Sequence, residues 1–256
     1  YSEWHDSNRG GESESIIGDW MAARGNRDRM VIATKVAKLS TRPGLRAANI
    51  VAACEDSLRR LRTDHIDVYY AHHDDQDTPL DETLAAFDSL VRTGKVRSVA
   101  ASNYEADRLE RAMAISRELG VAAYTSVQPE YNAIVRDRFE GDLQELCLRE
   151  DLAVMPYYAL ARGLLTGKHS RALDVVSVRT DDIAEVVNER AWHVVDVVRE
   201  VASGAGTTMA AVALAWLRAQ PGVTSPIASV RTPEQLADLV APAELHESDL
   251  AAITAA

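Results

Sequence analysis

A regular alternation limits the fold of this chain more than any other feature. Short runs of apolar, β-prone residues are separated by longer segments whose apolar residues recur at helical spacing. The runs 30–36, 66–72, 96–102, 121–128, 152–157 and 226–230 read as strands. The segments 13–23, 46–61, 81–92, 105–119, 142–149, 183–203, 208–220 and 233–240 read as helices. In 46–61, Ile50, Cys54, Leu58 and Leu61 fall on one face, while Gly94 and Gly120 supply stops after two later helices. The strand runs are continuously apolar, so both of their faces are expected to be covered. That pattern calls for a parallel sheet with helices packed over it.

A length of 256 residues suits one domain, 1–256, and a β/α barrel takes about 250. The expected fold class is α/β, a (β/α)8 barrel of the TIM type. Only about six strands are read, and the first helix precedes the first of them. The first two strands of such a barrel are therefore expected to be missing from this chain, upstream of residue 1. No Gly-x-Gly-x-x-Gly sequence occurs, in keeping with a barrel rather than a doubly wound fold. The stretch 169–182 is the least patterned and is expected to be a long loop or the site of a deletion.

Charge narrows the partners. Lys and Arg total 28 against 39 Asp and Glu, a net charge of −11. That argues against nucleic acid or an anionic membrane as the main partner, while a few local cations and backbone N–H groups can still bind phosphate. No apolar stretch approaches membrane-spanning length, and the polar opening residues show no secretory signal. Cys54 and Cys147 form neither a metal pair nor a disulfide framework; Cys54 is expected to be a buried, inert thiol, and a reducing cytoplasm is the expected compartment. No metal site is expected: His72 and His73 are adjacent on a strand and point to opposite faces, and no carboxylate–histidine spacing completes a ligand set.

Barrel chemistry sits at the C-terminal ends of the strands. Lys35, His72, Ser102 with Asn103, Gln128 and Tyr157 end five successive runs in this reading. Each alone is an ordinary solvated or packing residue; their common placement at one rim makes them candidates together.

The residues then resemble a known family. Ser13-Glu14-Ser15-Ile16-Ile17-Gly18, Arg27 to Lys35, Ile66 to His72, Leu90 to Arg97 followed by Ala101-Ser102-Asn103-Tyr104, Gln128-Pro129-Glu130-Tyr131-Asn132, Gly163 to Lys168 and Ser229 to Leu236 are similar, in order across almost the whole chain, to the signatures of aldo-keto reductases. The resemblance implies an NADPH-dependent oxidoreductase that reduces an aldehyde or ketone. Of the family's Asp-Tyr-Lys-His tetrad, it places the lysine at Lys35, the histidine at His72 and the tyrosine at Tyr1, with the aspartate expected before residue 1. A phenol with a pKa near ~10 is a poor proton donor at neutral pH, and a nearby ammonium lowers it.

The same resemblance assigns Ser102, Asn103 and Gln128 to the nicotinamide carboxamide and Tyr157 to stacking on its ring. It assigns Leu160, Gly163, Leu165 and Lys168 to a pyrophosphate strap, and Ser229, Arg231, Gln235 and Asp238 to the adenosine end. Arg231 is the candidate for a 2′-phosphate, which favours NADP over NAD. Trp4, His73 and Tyr104 are candidates for the substrate pocket. Tyr158 and Ala159 depart from the family's usual serine and proline, Leu239 from a common asparagine, and His73 from a common tryptophan or arginine. An alternative is a non-catalytic regulatory subunit that binds the nucleotide; a Schiff-base aldolase using Lys35 is weighed against the nucleotide-type residues that follow.

Overall fold

A computed structural model describes residues 2–4, 7–171, 183–241 and 243–256. They form two compact units, Tyr1–Val127 and Gln128–Ala256.

The first unit runs α1 (Glu12–Arg24), β1 (Ala33–Val36), a hairpin of β2 (Lys38–Leu39) and β3 (Arg42–Pro43), α2 (Ala47–Leu61), β4 (Ile66–Ala71), α3 (Leu80–Arg92), β5 (Val96–Ser102), α4 (Ala106–Leu119) and β6 (Tyr124–Gln128). The strands β1, β4, β5 and β6 lie side by side in that order. The first three pair in parallel, with Lys35 beside Tyr70 and Tyr70 beside Ala100. Alternation along β4 sends Tyr69 and Tyr70 to opposite faces. Tyr69 is fully buried on the helix side, its hydroxyl donating to the Ile50 carbonyl at 3.4 Å and its ring edge-on to Phe87. The expected stripe of α2 is buried there: Ile50, Cys54 and Leu61 are essentially inaccessible.

Two devices seat the start of the unit. Gly18 of α1 lies against the end of α2 so closely that a Cβ would stand 2.3 Å from the Arg60 carbonyl oxygen. Glu14, one turn earlier, accepts from Thr34 Oγ1 on β1 at 2.5 Å and from Arg60 Nε at 2.6 Å. At the opposite end of β4, buried Asp67 accepts from the Ile32 N–H and from Arg27 and Arg97 at 2.7–2.9 Å. Burial opposes its charge, but these donors hold the carboxyl below its usual range.

The second unit contains α5 (Asp142–Arg149), β7 (Ala153–Val154), a 3₁₀ segment over Ala161–Thr166, α6 (Glu189–Gly204), α7 (Met209–Arg218), α8 (Pro233–Val240) and α9 (Glu247–Ala255). Its core centres on Trp216, fully buried, with Tyr131 at 5.8 Å between ring centroids and Phe139 beyond it.

Several boundaries differ from the sequence expectation, each for a hydrogen-bonding reason. The run 30–36 becomes regular only at Ala33, because the Ile32 carbonyl accepts from both Asp67 and Val68. The run 121–128 starts at Tyr124, since the Val121 N–H closes the end of α4 and that of Ala122 binds Asp88. The run 152–157 shortens to Ala153–Val154, ahead of Pro156, which has no N–H to give. The run 226–230 is not a strand: Val223 bridges Val154, Thr224 and Ser225 both donate to the Val154 carbonyl, and Pro226 breaks the ladder before Ile227 reaches Pro156. The helix expected from 183 starts at Glu189, where the Asn188 side chain accepts from the Ala191 N–H at 2.8 Å. α9 was not expected from the pattern; His246 and Asp249 cap it reciprocally. Of the stretch 169–182, residues 172–182 lie outside the described residues. No described helix is long and apolar enough to cross a membrane.

Candidate active site

Strand alternation builds the first unit's half of the candidate set. Tyr70 faces away from the helices, so its register partner Lys35 and the residue two further along, His72, share that face. Lys35 Nζ stands 5.0 Å from the centre of the Tyr70 ring. The backbone of His72 is tied to β1 by its N–H to the Val36 carbonyl at 3.0 Å. Lys35, His72 and Trp4 line one cavity of about 110 Å³, with Val36, Ala37 and Leu39 among its apolar walls. The Trp4 and His72 rings are tilted at 45°, 5.7 Å apart.

Burial sets the protonation in this cavity. It pushes Lys35 down to about 8, which still leaves an ammonium at neutral pH. It pushes His72 down to about 3, reinforced by the cations of Lys35 and Lys38, so the imidazole is neutral. A neutral imidazole offers one N–H donor and one acceptor.

Ser102 ends β5 on the same face and is buried. Asn103 follows in the left-handed region, φ 56°, which an asparagine tolerates. Its amide donates to the His72 carbonyl at 3.0 Å and to Ser102 Oγ at 3.1 Å. His73 and Tyr104 do not line the cavity of Lys35 and His72. His73 is half-buried, with burial lowering its pKa; Tyr104 is buried, its hydroxyl 3.2 Å from that of Tyr124. Tyr1 lies outside the described residues.

The second unit carries the remaining candidates. Gln128, the last residue of β6, is buried. Tyr157 pairs in parallel with Glu130, and burial pushes its phenol up to about 12. Leu160 precedes the 3₁₀ segment that holds Gly163 and Leu165. Gly163 has φ 107°, and a Cβ there would meet the Lys168 side chain at 2.9 Å. A lysine amine is thus laid over a bare glycine backbone, an arrangement that fits a phosphate group. Ser229, Arg231, Gln235 and Asp238 are exposed just before and along α8, and the Arg231 N–H donates to Gln235 Oε1 at 2.9 Å. Among the described residues no group of three or more His, Cys, Asp or Glu could hold a metal ion.

A family model described as the Aldo/keto reductase family matches residues 6–256. The chain belongs to the aldo/keto reductase family. This is an oxidoreductase family with a (β/α)8 barrel fold, and its members generally use a nicotinamide cofactor. The chain is 34% identical over 246 residues to the uncharacterized oxidoreductase YrpG of Bacillus subtilis, spanning 92% of this chain and 74% of that protein. It is 30% identical to the aldo-keto reductase YhdN of the same organism, over 88% of this chain and 69% of the relative. It is also 30% identical to a putative voltage-gated potassium channel subunit beta of Schizosaccharomyces pombe, over 90% of this chain and 71% of the relative.

Two residues of this aldo/keto reductase stand out in the structure without having been singled out by role from the sequence. Glu130, inside the quoted Gln-Pro-Glu-Tyr-Asn motif, and Arg162, between Ala161 and Gly163, are buried and paired with each other. The available signal was a glutamate two residues past a strand end, with an arginine beside a strap glycine.

Proposed function

We propose that this aldo/keto reductase is an NADPH-dependent carbonyl reductase that converts an aldehyde or ketone to an alcohol. The observation that carries the reading is the joint lining of one cavity by Lys35 and His72, at the ends of neighbouring parallel strands. The neutral His72 imidazole holds the substrate's carbonyl oxygen by donating one N–H. Tyr1, assigned by resemblance, delivers the proton to that oxygen. The Lys35 ammonium favours the phenolate and so brings the phenol's pKa toward neutrality. Trp4 walls the cavity beside His72, whereas His73 and Tyr104 lie outside its lining.

Ser102, Asn103 and Gln128 supply the donors and acceptors that suit a carboxamide, and Tyr157 a flat face for the ring it belongs to. Leu160, Gly163, Leu165 and Lys168 suit the pyrophosphate; Ser229, Gln235 and Asp238 the adenosine; and Arg231 a 2′-phosphate, which favours NADP. When bound, the reduced nicotinamide supplies the hydride that adds to the carbonyl carbon. Two buried, unbridged cysteines suit a reducing cytoplasm.

NADPH consumption against a panel of aldehydes and ketones tests the proposal. The wild type turns over, and Lys35→Met loses about 100-fold or more in kcat/KM. A wild-type chain that binds NADPH and reduces no carbonyl contradicts it. That outcome would favour a second reading, a nucleotide-binding regulatory subunit, which the likeness to the S. pombe channel subunit supports.

A further inference from the structure

The loop after Tyr157 has a costly backbone. Tyr158, Ala161, Arg162 and Gly163 have φ of 54°, 46°, 57° and 107°. Three of these four carry side chains in the left-handed region, a conformation that persists only where the surroundings over-determine it. What surrounds it is a buried ion pair. Glu130 is 3% exposed and Arg162 6%. Arg162 Nη2 lies 3.1 Å from Glu130 Oε1 and 3.3 Å from Oε2, so one nitrogen meets both carboxylate oxygens. Its Nη1 reaches Glu185 at 3.2 Å, and its guanidinium lies 4.8 Å from the Tyr158 ring centre. Arg138 closes the exposed side of Glu130 at 2.8 Å.

Glu130 therefore holds the loop twice. Its flanking backbone pairs with Tyr157: the Tyr157 N–H donates to the Pro129 carbonyl at 3.0 Å and the Tyr131 N–H to the Tyr157 carbonyl at 3.4 Å. Its side chain grips Arg162, five residues on. Asn132, fully buried, adds a third tie by donating to the Tyr158 carbonyl at 3.0 Å. The tyrosine at position 158, where the family usually has serine, is the face on which Arg162 rests. A buried ion pair is a weak way to gain stability, but removing one partner leaves the other charge buried and uncompensated, which ties the loop to Glu130.

We infer that the Glu130–Arg162 pair is a positioning device for nucleotide binding: it presets the loop that carries Leu160, Gly163 and Leu165, and it touches none of the reacting atoms. The inference rests on the proposed NADPH-binding reading. Without the pair the loop relaxes, the competent fraction falls, and apparent affinity falls with it.

The test measures NADPH Kd by fluorescence titration and kcat at saturating NADPH, on the full chain and its Arg162→Met, Arg162→Lys and Glu130→Gln variants. The expected result is a rise in Kd of about tenfold or more for Arg162→Met, with kcat within about twofold of wild type. Arg162→Lys, which keeps one charge on Glu130, recovers most of the affinity. If Arg162→Met does not fold, Glu130→Gln and Arg162→Lys decide by the same split of Kd from kcat. Wild-type affinity in folded variants overturns the inference while leaving the carbonyl-reductase reading intact. An equal fall in kcat and affinity that Arg162→Lys does not relieve overturns it too. A wild-type chain that binds no NADPH ends both.

Discussion

Lys35 and His72 share one cavity, and burial lowers the pKa of both yet leaves them in different charge states. The lysine is lowered to about 8 and keeps its charge at neutral pH; the histidine is lowered to about 3 and is neutral throughout the physiological range. Turnover is expected to fall as pH rises past about 8, as Lys35 loses its proton. A pH–rate profile of Lys35→Arg should lack that limb, because guanidinium stays charged. Stability tests the histidine. Its folded value lies below its ordinary 6.5, so between the two the unfolded chain binds more protons. The contribution of neutral His72 is present in full above pH about 6.5 and is lost as pH falls toward 3. Urea denaturation across that window should show a shallower acid-side loss for His72→Asn than for wild type. An identical slope would show that His72 is not held neutral by burial. Cys54 gives a third residue-scale expectation. Burial pushes its thiol up to about 12, so a thiol reagent should label it at the rate of unfolding.

At the scale of elements, much of the first unit was legible in the sequence because its signals are local. The stripe of α2, the glycine stop after α4 and the largely apolar, β-prone runs of β4 and β5 each depend on residues within one or two turns or along one strand. What was not legible depends on partners far along the chain. The interruption at 226–230 comes from Val154 accepting twice, about 70 residues away in sequence terms, and from a proline that withholds its N–H. The Glu130–Arg162 pair joins positions 32 apart, and the strained φ values it accompanies leave no periodic trace. The strand-end placement of Lys35 and His72 was legible because a strand end is a local feature.

The α1–α2 contact is the sharpest mechanical constraint among these elements. Gly18→Ala drives a methyl into the Arg60 carbonyl and should destabilise the chain by about 1–3 kcal/mol, read from the urea midpoint. A midpoint unchanged from wild type would mean that α1 does not pack on α2 as described. Asp67→Ala strips the buried acceptor from Arg27, Arg97 and the Ile32 N–H. Arg97 is largely exposed and stays solvated, so the expected loss is that of the Arg27 and Ile32 N–H bonds, about 1–3 kcal/mol by the same measurement.

At the scale of the whole molecule, each unit carries its own share of the candidate residues. The first carries the cation and the neutral imidazole suited to a carbonyl oxygen; the second carries the glycine turn, the lysine over it and the exposed Arg231 suited to a phosphorylated nucleotide. A net charge of −11 makes those local cations matter more, since the chain as a whole repels an anion. Family membership makes the chain an aldo/keto reductase by descent, and it accommodates relatives named both as oxidoreductases and as channel subunits. The two outcomes separate at a single bond. The most direct measurement follows deuterium from NADPH labelled at the transferring position of its nicotinamide into the product of a reducible aldehyde. Label is expected on the carbinol carbon of the alcohol, in proportion to NADPH consumed, and is expected to be lost in Lys35→Met. Bound NADPH that yields no labelled alcohol with the wild-type chain would contradict the carbonyl-reductase reading.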